Sequence, residues 1–361
     1  MKKGMKIIII LFIAVFVIGI DVFIFIKNSL SMWVGGKQAE DYEKRIEIWN
    51  TVAGNSADLK TDHMNIDENA DIFPSALAFT HDVVGKEYSD AERTLDTYTF
   101  LSCIKSGVDA QTYEDKPYLI PYLVDGSDSA IIVAPGGAFG YKSITAGNNE
   151  GKEVAETLNK HGYNAFVLYY RSNPYEYPIP YLDLQRAVRY LRYHSEEYHI
   201  DKEKISMIGF SAGGNEIGTF INVIQGNNCF PENYIPDEVD AASDSVSSAA
   251  MIYPAMSFRY NVPMLFCMFD AKQVRDEAGR EKLLEMTDLY RHISSQGVKQ
   301  FIAYGTKDSM VGMDETINYI THAQNDGCDV SVVVAEGQDH AFGQKYYMDE
   351  YIKWIQGIFN E

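Results

Sequence analysis

The feature that most constrains the fold is a strand, a sharp turn and a helix in immediate succession. Residues 205–208 form a short apolar run, and a G-x-S-x-G turn follows, with Gly209, Ser211 and Gly213 in the fixed places. A helical pattern then continues over residues 215–225. Glycines on either side of the serine let strand and helix backbones approach closely, while the hydroxyl projects from a strained turn. The motif predicts a reactive serine at a sheet edge; the alternative is a Gly-rich turn with an incidental serine.

Short apolar runs and helical patterns alternate through the rest of the chain. This alternation predicts an α/β fold in which a mostly parallel sheet carries helices on both faces. In such sheets functional residues lie just beyond the carboxyl ends of the strands. The predicted strands are 118–123, 130–134, 165–170, 205–208, 249–253, 300–304 and 330–335, and the clearest further helices are 183–198, 313–325 and 346–359.

The N-terminal residues are expected to form a segment separate from the rest of the chain. Residues 1–6 contain three lysines, and residues 7–26 are almost wholly apolar. Twenty helical residues span roughly 30 Å, about one hydrocarbon core. Lysines before the run and an acidic chain after it predict a cytoplasmic N-terminus and an exported remainder. We expect a transmembrane signal anchor at 7–26; the alternative is a cleaved signal peptide using Ser29 and Ser31, which would give a secreted protein.

The segments between this run and the alternating pattern are less informative. Residues 27–112 are expected to be a spacer and N-terminal extension with a helical patch at 40–50, and residues 113–361 to form the catalytic domain. Residues 62–107 could pack on that domain or form a small cap. Residues 256–296, which include a charged helical pattern at 276–293, fit either a lid or a crossover with a long loop.

Charge and glycine patterns exclude several classes of partner. The net charge of -20 opposes binding to nucleic acid or to anionic lipid head groups. The Gly-rich segment at 135–140 is not a phosphate loop, because Tyr141 separates Gly140 from Lys142, and it lacks G-x-G-x-x-G. The four cysteines show no metal-binding spacing. The sequence therefore predicts no nucleotide cofactor and no metal, and it says nothing about oligomeric state.

A loop of small residues directly follows the predicted strand 130–134. Its core is Gly136, Gly137 and Ala138. Consecutive small residues let backbone N–H groups face a site, and the residue after a nucleophile supplies another donor. We expect the N–H groups of Gly137, Ala138 and Ala212 to form an oxyanion hole; a plain strand-end turn remains the alternative.

An acid and a histidine follow the last two predicted strands. Asp308 lies on the loop after strand 300–304, and His340 lies on the loop after strand 330–335. An acid can orient a histidine and stabilise its charged form. Asp339 is a rival acid, but adjacent residues do not easily direct their side chains at one another. The order Ser211, Asp308, His340, each after its own strand, predicts a catalytic triad.

These motifs together resemble the α/β-hydrolase family, over residues 113–361, and specifically the esterase/lipase branch that includes acetyl-xylan and feruloyl esterases. The resemblance implies cofactor-free hydrolysis of carboxylic esters, with short acyl groups such as acetyl, through an acyl-enzyme. Ala138 stands where the branch has a third glycine, and Asn215 where it often has a histidine. The matching segments are Pro135-Gly136-Gly137, His161-Gly162-Tyr163, Gly209-Phe210-Ser211-Ala212-Gly213-Gly214, Gly305 with Asp308, and Asp339-His340-Ala341-Phe342-Gly343.

Two further residues match the branch and are expected to be structural. Arg171 at a strand end and Asp183 near a helix start are typical of an ion pair or a cap. Two other functions stay open: a membrane-tethered serine peptidase of the related oligopeptidase branch, and a non-catalytic binding module with a hydrolase fold. The expected partners are a small-molecule or carbohydrate ester and, through residues 7–26, a membrane.

Overall fold

The computed structural model describes residues 41–53, 116–139, 142–145, 148–172, 175–294 and 297–360. The strands are β1 (Ile46–Glu47), β2 (Tyr118–Tyr122), β3 (Ala130–Ala134), β4 (Ile144–Thr145), β5 (Asn148–Asn149), β6 (Ala165–Tyr169), β7 (Ile205–Phe210), β8 (Ser248–Ile252), β9 (Lys299–Gly305) and β10 (Val330–Ala335). The α-helices are α1 (Lys152–Lys160), α2 (Ile179–Tyr193), α3 (Ala212–Thr219), α4 (Ala271–Arg275), α5 (Glu277–Thr287), α6 (Met313–Asn325) and α7 (Met348–Phe359).

Among the described residues, eight strands form one sheet in the order β1-β2-β6-β3-β7-β8-β9-β10. The pairs from β6 through β3, β7, β8 and β9 to β10 are parallel, whereas β1–β2 and β2–β6 are antiparallel. Strands β4 and β5 form a separate antiparallel pair. The prediction of a mostly parallel sheet is confirmed.

The central strands are buried on both faces, which explains their continuous apolar sequences. Every residue of β3, β7 and β8 is buried. In β3, Ile132 packs into the core that contains α2 and α3, and Ile131 packs into the core that contains α1 and α7. Successive side chains of a strand point to opposite faces. Helices therefore cover both faces of the sheet, as predicted.

Several helix bounds differ from the predictions for local reasons. Helix α2 begins at Ile179, four residues early, because Pro178 and Pro180 fit a first turn whose N–H groups need no helical partner. Helix α3 ends at Thr219 and continues as a π-helical turn over Phe220–Ile224. The predicted helix 276–293 is α5 followed by a 3-10 turn. The described 3-10 turns are Tyr42–Lys44, Val239–Ala241, Val262–Cys267, Leu289–Arg291 and Gln344–Tyr346.

Part of the expected spacer belongs to the folded domain, and the helical patch predicted at 40–50 was wrong. Strand β1 pairs with β2, and Ile48, Trp49 and Ala53 are buried in the core. The Trp49 indole donates to Asp183 at 3.2 Å. These long-range contacts override the weak local helical preference.

Other expectations lie wholly or partly outside the described residues. The cytoplasmic tail at 1–6, the apolar run at 7–26 and the segment 62–107 are not described. Within the described ranges, no helix combines the length and hydropathy that crossing a bilayer requires. The segment following β8 packs into the main core through Met256, Phe258 and Leu265 before α4 and α5 begin, which favours a packed crossover over a lid.

Candidate active site

Ser211 occupies the turn between β7 and α3 in a conformation that side chains rarely adopt. Its φ is 51°, in the left-handed region. A Cβ at Gly209 would lie 2.3 Å from the carbonyl oxygen of Gly213, and a Cβ at Gly213 would lie 2.0 Å from that of Ala134. Neither position has room for a side chain, so the glycines allow the strained turn that exposes the serine.

The structure brings Ser211, His340 and Asp308 into one hydrogen-bonded chain. The distance from Ser211 Oγ to His340 Nε2 is 2.9 Å, and that from His340 Nδ1 to Asp308 Oδ2 is 2.8 Å. A carboxylate only accepts, so the imidazole carries its proton on Nδ1. Nε2 is then the acceptor for the serine hydroxyl, which is the arrangement that general-base catalysis requires.

Asp308 is held on its other side by the backbone. Its Oδ1 accepts hydrogen bonds from the N–H groups of Met310 at 2.9 Å and Val311 at 3.0 Å. The Asp308 and His340 side chains are 2% and 11% exposed, so their contact is largely shielded from water. The loop after β9 thus fixes the carboxylate and leaves Oδ2 for the imidazole.

Asp339, the rival acid, does not face the imidazole. Its Oδ1 accepts from the backbone N–H of His340 at 2.7 Å and from the N–H and hydroxyl of Ser309, both at 2.8 Å. Burial alone would raise the pKa of Asp339, but these hydrogen bonds hold the pKa below its ordinary value. Asp339 ties the loop after β10 to the loop after β9.

Of the residues expected to form an oxyanion hole, Ala212 directly follows Ser211, and Gly137 and Ala138 follow Gly136, which lies against Ser211. Gly137 has φ 128° and Ala138 has φ 53°, so both adopt conformations that favour glycine. In the described part of the chain, the N–H groups of Gly137, Ala138 and Ala212 have no protein acceptor. Ala212 is the first residue of α3, whose N-terminal N–H groups carry partial positive charge.

The loop with these donors is held by hydrogen bonds to the two residues before Gly137, which are Pro135 and Gly136. The Tyr170 hydroxyl donates to the carbonyl of Pro135 at 2.7 Å, and the Ser143 N–H donates to the carbonyl of Gly136 at 3.0 Å. Phe139 is fully buried and contacts the rings of Tyr170, Tyr181 and Phe258. The loop is therefore positioned before any substrate arrives.

Two site residues were missed by the sequence reasoning. Tyr253 follows β8 and packs edge-on against the His340 ring, with centroids 5.1 Å apart. Its hydroxyl donates to Glu150, which also accepts from the N–H of Gly136. Tyr253 was the last residue of the predicted strand 249–253, whereas β8 ends at Ile252 and leaves Tyr253 just beyond the strand end. Glu150 follows the two-residue β5 and carries no local signal.

Asn215 and the Arg171–Asp183 pair were singled out from the sequence and have structural contacts. The Asn215 amide donates to the carbonyl of Ala255 at 2.7 Å, and its Oδ1 accepts from the Tyr181 hydroxyl at 3.0 Å. Arg171 and Asp183 form a buried ion pair at 2.6 Å, which agrees with the first of the two alternatives, an ion pair or a cap. Within the described residues, no cluster of His, Cys, Asp and Glu has the arrangement of a metal site.

Comparisons with known proteins identify the family of the chain. The sequence model of the BD-FAE family matches residues 120–322, more than half of the 361 residues. Over 109 residues (28% of this chain) the chain is 34% identical to endo-1,4-beta-xylanase B of Butyrivibrio fibrisolvens. Over 103 residues (28% of this chain) it is 30% identical to an acetylxylan esterase of Xylanibacter ruminicola. The matched segments span only 16% and 21% of those two relatives.

Solved structures share the fold as well. An acetyl ester-xyloside bifunctional hydrolase from Caldicellulosiruptor lactoaceticus superposes with a TM-score of 0.57 at 25% sequence identity. The match covers 68% of this chain and 88% of that one. The described sheet and helices therefore form an α/β-hydrolase fold.

Proposed function

This chain belongs to the BD-FAE family, and from that premise we propose that it hydrolyses carboxylic esters through Ser211, His340 and Asp308. One observation carries the proposal: the continuous chain from Ser211 Oγ to His340 Nε2 at 2.9 Å and from His340 Nδ1 to Asp308 at 2.8 Å. Unpartnered N–H groups beside the same serine support it. A reactive serine, its base and an orienting acid are the parts that acyl transfer needs.

The proposed reaction begins with proton transfer to His340. As Ser211 Oγ attacks the ester carbonyl, Nε2 takes the hydroxyl proton, and Asp308 stabilises the imidazolium that forms. The imidazolium then gives its proton to the departing alcohol, which leaves an acyl-enzyme on Ser211. Water activated by Nε2 attacks that acyl group, and the proton returns to the serine when the acid is released.

The oxyanion formed in each step would be held by the N–H groups of Gly137, Ala138 and Ala212. A donor of this kind is typically worth roughly 3 kcal/mol of transition-state stabilisation. Donors held in place before the reaction need no reorganisation during it. The anchored loop after β3 supports this role because its backbone is fixed independently of substrate.

We propose that the substrate is a short acyl ester, with an acetyl group on a carbohydrate as the leading case. The support is the names of the similar proteins, an acetylxylan esterase and an acetyl ester-xyloside hydrolase. A series of nitrophenyl esters of increasing acyl length, followed by acetylated xylan, tests the assignment. A maximum at long acyl chains would contradict it.

The test of the function is the Ser211→Ala variant. We expect the wild-type protein to be labelled by a fluorophosphonate probe and to hydrolyse p-nitrophenyl acetate, and the variant to do neither. Labelling that survives in the variant would remove Ser211 from its role. An aminoacyl anilide cleaved faster than the ester would favour the peptidase alternative. A folded wild-type protein that is neither labelled nor active would favour a binding module.

For the N-terminus we propose a signal anchor at 7–26 that tethers the domain outside the cytoplasm. The proposal is supported by the length and apolar composition of that run and the lysines before it. Fractionation of cells expressing the full chain provides the test. Esterase activity that sediments with membranes and resists carbonate extraction supports an anchor, and activity in the medium indicates cleavage.

A further inference from the structure

A buried glutamate links two parts of the site that are distant in sequence. Glu150 Oε2 accepts a hydrogen bond from the N–H of Gly136 at 2.7 Å, and Oε1 accepts one from the Tyr253 hydroxyl at 3.0 Å. Glu150 is only 4% exposed. Hydrogen bonds to a carboxylate are stronger than neutral ones, and exclusion of water strengthens them further. Glu150 therefore holds both the backbone of Gly136 and the hydroxyl of Tyr253 in place.

The first end of the link controls the loop with the oxyanion donors. Gly136 immediately precedes Gly137 and Ala138. A Cβ at Gly136 would lie 2.9 Å from the Cβ of Ser211 and 2.8 Å from the carbonyl oxygen of Phe210. The loop backbone therefore runs directly against the nucleophile, and a shift at Gly136 changes the distance between the donors and Ser211.

At its other end, Glu150 holds the Tyr253 ring, against which the His340 imidazole packs. The Tyr253 ring packs between His340, at 5.1 Å, and Phe342, at 5.0 Å. Burial, followed by the charge of Glu150, raises the pKa of Tyr253 well above its ordinary value. Tyr253 therefore keeps its proton and remains the donor to Glu150. The glutamate fixes the tyrosine ring, and the ring in turn supports His340.

We propose that Glu150 is a positioning residue that holds the oxyanion loop and His340 in register with Ser211. The inference rests on the proposed function and deepens it. Glu150 acts through Gly136 and Tyr253, without contact to substrate. Positioning of this kind is needed most in the transition state, where donors and base must meet the reacting atoms together.

Two substitutions at Glu150 test whether its hydrogen bonds hold the site in place: one removes these bonds and the other can keep them. Glu150→Ala removes the hydrogen bonds to Gly136 and Tyr253, and we expect kcat for p-nitrophenyl acetate to fall about 100-fold, with KM changed less than about threefold. In Glu150→Gln the amide oxygen still accepts from Gly136, and the amide NH₂ can donate to the Tyr253 oxygen. We expect this conservative variant to keep kcat within about tenfold of wild type.

A third substitution tests the link as a unit. Tyr253→Phe keeps the ring but removes the hydroxyl, and we expect kcat to fall about tenfold with KM nearly unchanged. In the double variant Glu150→Ala, Tyr253→Phe the bond between the two residues is already absent. The double variant should therefore be no slower than Glu150→Ala alone, a non-additivity that independent roles would not produce.

Asp244 provides a matched control for the loss of a buried carboxylate. It is 6% exposed and accepts from the N–H of Gly226 and the amide of Gln185, none of which belongs to the proposed machinery. Asp244→Ala should lower the unfolding midpoint and leave kcat per active site unchanged. Titration of the full-length protein with a fluorophosphonate counts active sites in every variant.

The outcomes distinguish this inference from the proposed function. If the wild type is inactive, or Ser211→Ala is active, the proposed function fails whatever Glu150 does. With those two results as expected, the inference is overturned by Glu150→Ala within twofold of wild-type kcat, by Glu150→Gln no faster than Glu150→Ala, or by additive losses. If Glu150→Ala does not fold, Tyr253→Phe decides, and wild-type kcat in that variant overturns the inference.

Discussion

Two buried aspartates, Asp308 and Asp183, show how similar groups serve different ends. Asp183 is fully buried and accepts from the Arg171 guanidinium, from the Arg171 backbone N–H at 2.8 Å and from the Trp49 indole at 3.2 Å. Asp308 is also buried, but one of its oxygens is bonded to backbone and the other to the His340 imidazole. Every donor to Asp183 keeps the same charge, whereas the His340 imidazole that donates to Asp308 can become protonated.

The difference separates a structural carboxylate from one suited to catalysis. A buried charge satisfied by an arginine and fixed N–H groups keeps one state, and it orders the chain around it. A carboxylate against an imidazole gains interaction energy when that ring becomes protonated, as it must during acyl transfer. Burial alone does not distinguish the two; the chemistry of the donors does.

The largest expected effect is that of Asp308→Asn on turnover. The Asn amide can donate to Nδ1, which shifts the imidazole proton to Nε2 and removes the acceptor for Ser211. We expect kcat to fall about 10⁴-fold with little change in the unfolding midpoint. Ester hydrolysis and thermal unfolding measure the two quantities.

Asp339→Asn is the matched control, because its Oδ1 can still accept from Ser309 and His340. Its kcat should stay within about tenfold of wild type. A larger loss in Asp339→Asn than in Asp308→Asn would mean that the acid has been assigned to the wrong residue.

The next largest effect is that of Asp183→Ala, which should lower the stability of the fold and leave catalysis nearly unchanged. Asp183→Ala leaves the buried Arg171 guanidinium without its carboxylate, and we expect the free energy of unfolding to fall by about 3–5 kcal/mol. Urea unfolding measures the loss, and kcat per titrated site should stay within about threefold.

A paired variant sharpens the result. Arg171→Met with Asp183→Leu removes both charges and should be less destabilised than Asp183→Ala alone. Equal or greater destabilisation of the pair would show that packing around Arg171, rather than its unpaired charge, determines the loss.

The smallest expected effect concerns a partly exposed aspartate with an arginine partner. Hydrogen bonds from Arg186, at 2.5 and 2.7 Å, hold the pKa of Asp237 below its ordinary value of 3.8. Its contribution is therefore present above pH 3.8 and is lost as the pH falls through the lower, folded-state pKa.

We expect Asp237→Asn to cost about 1–2 kcal/mol at pH 7, with the difference from wild type shrinking as the pH falls below the ordinary pKa of 3.8. Urea unfolding at several pH values measures that difference. A difference that does not depend on pH would show that the ion pair contributes nothing through ionisation.

Much of the site could be predicted because its parts are encoded locally. The glycines around Ser211 are required by contacts within one turn, and the loops carrying Asp308 and His340 each follow a strand that its own apolar sequence identifies. Parallel strands bring their carboxyl ends to one edge of the sheet. The sequence therefore indicated which loops meet without any knowledge of side-chain geometry.

The parts that could not be predicted depend on contacts between distant residues. Trp49 reaches Asp183 across 134 positions, and the Tyr253 hydroxyl reaches Glu150 across 103. The segment containing Trp49 is charged and weakly patterned, so its local preferences pointed to a helix within a spacer. No short-range rule links a lone glutamate after a two-residue strand to a histidine loop.

By itself the sequence determined the order of most strands and helices, a mostly parallel α/β sheet and the loops that carry the proposed catalytic residues, because spacing and hydrophobic pattern act over a few residues. Only the tertiary structure decided that Asp308 rather than Asp339 faces His340, that residues 41–53 complete the core, and that Glu150 joins two loops. Those outcomes depend on packing contacts and hydrogen-bond directions between distant segments, and these form only when the chain has folded.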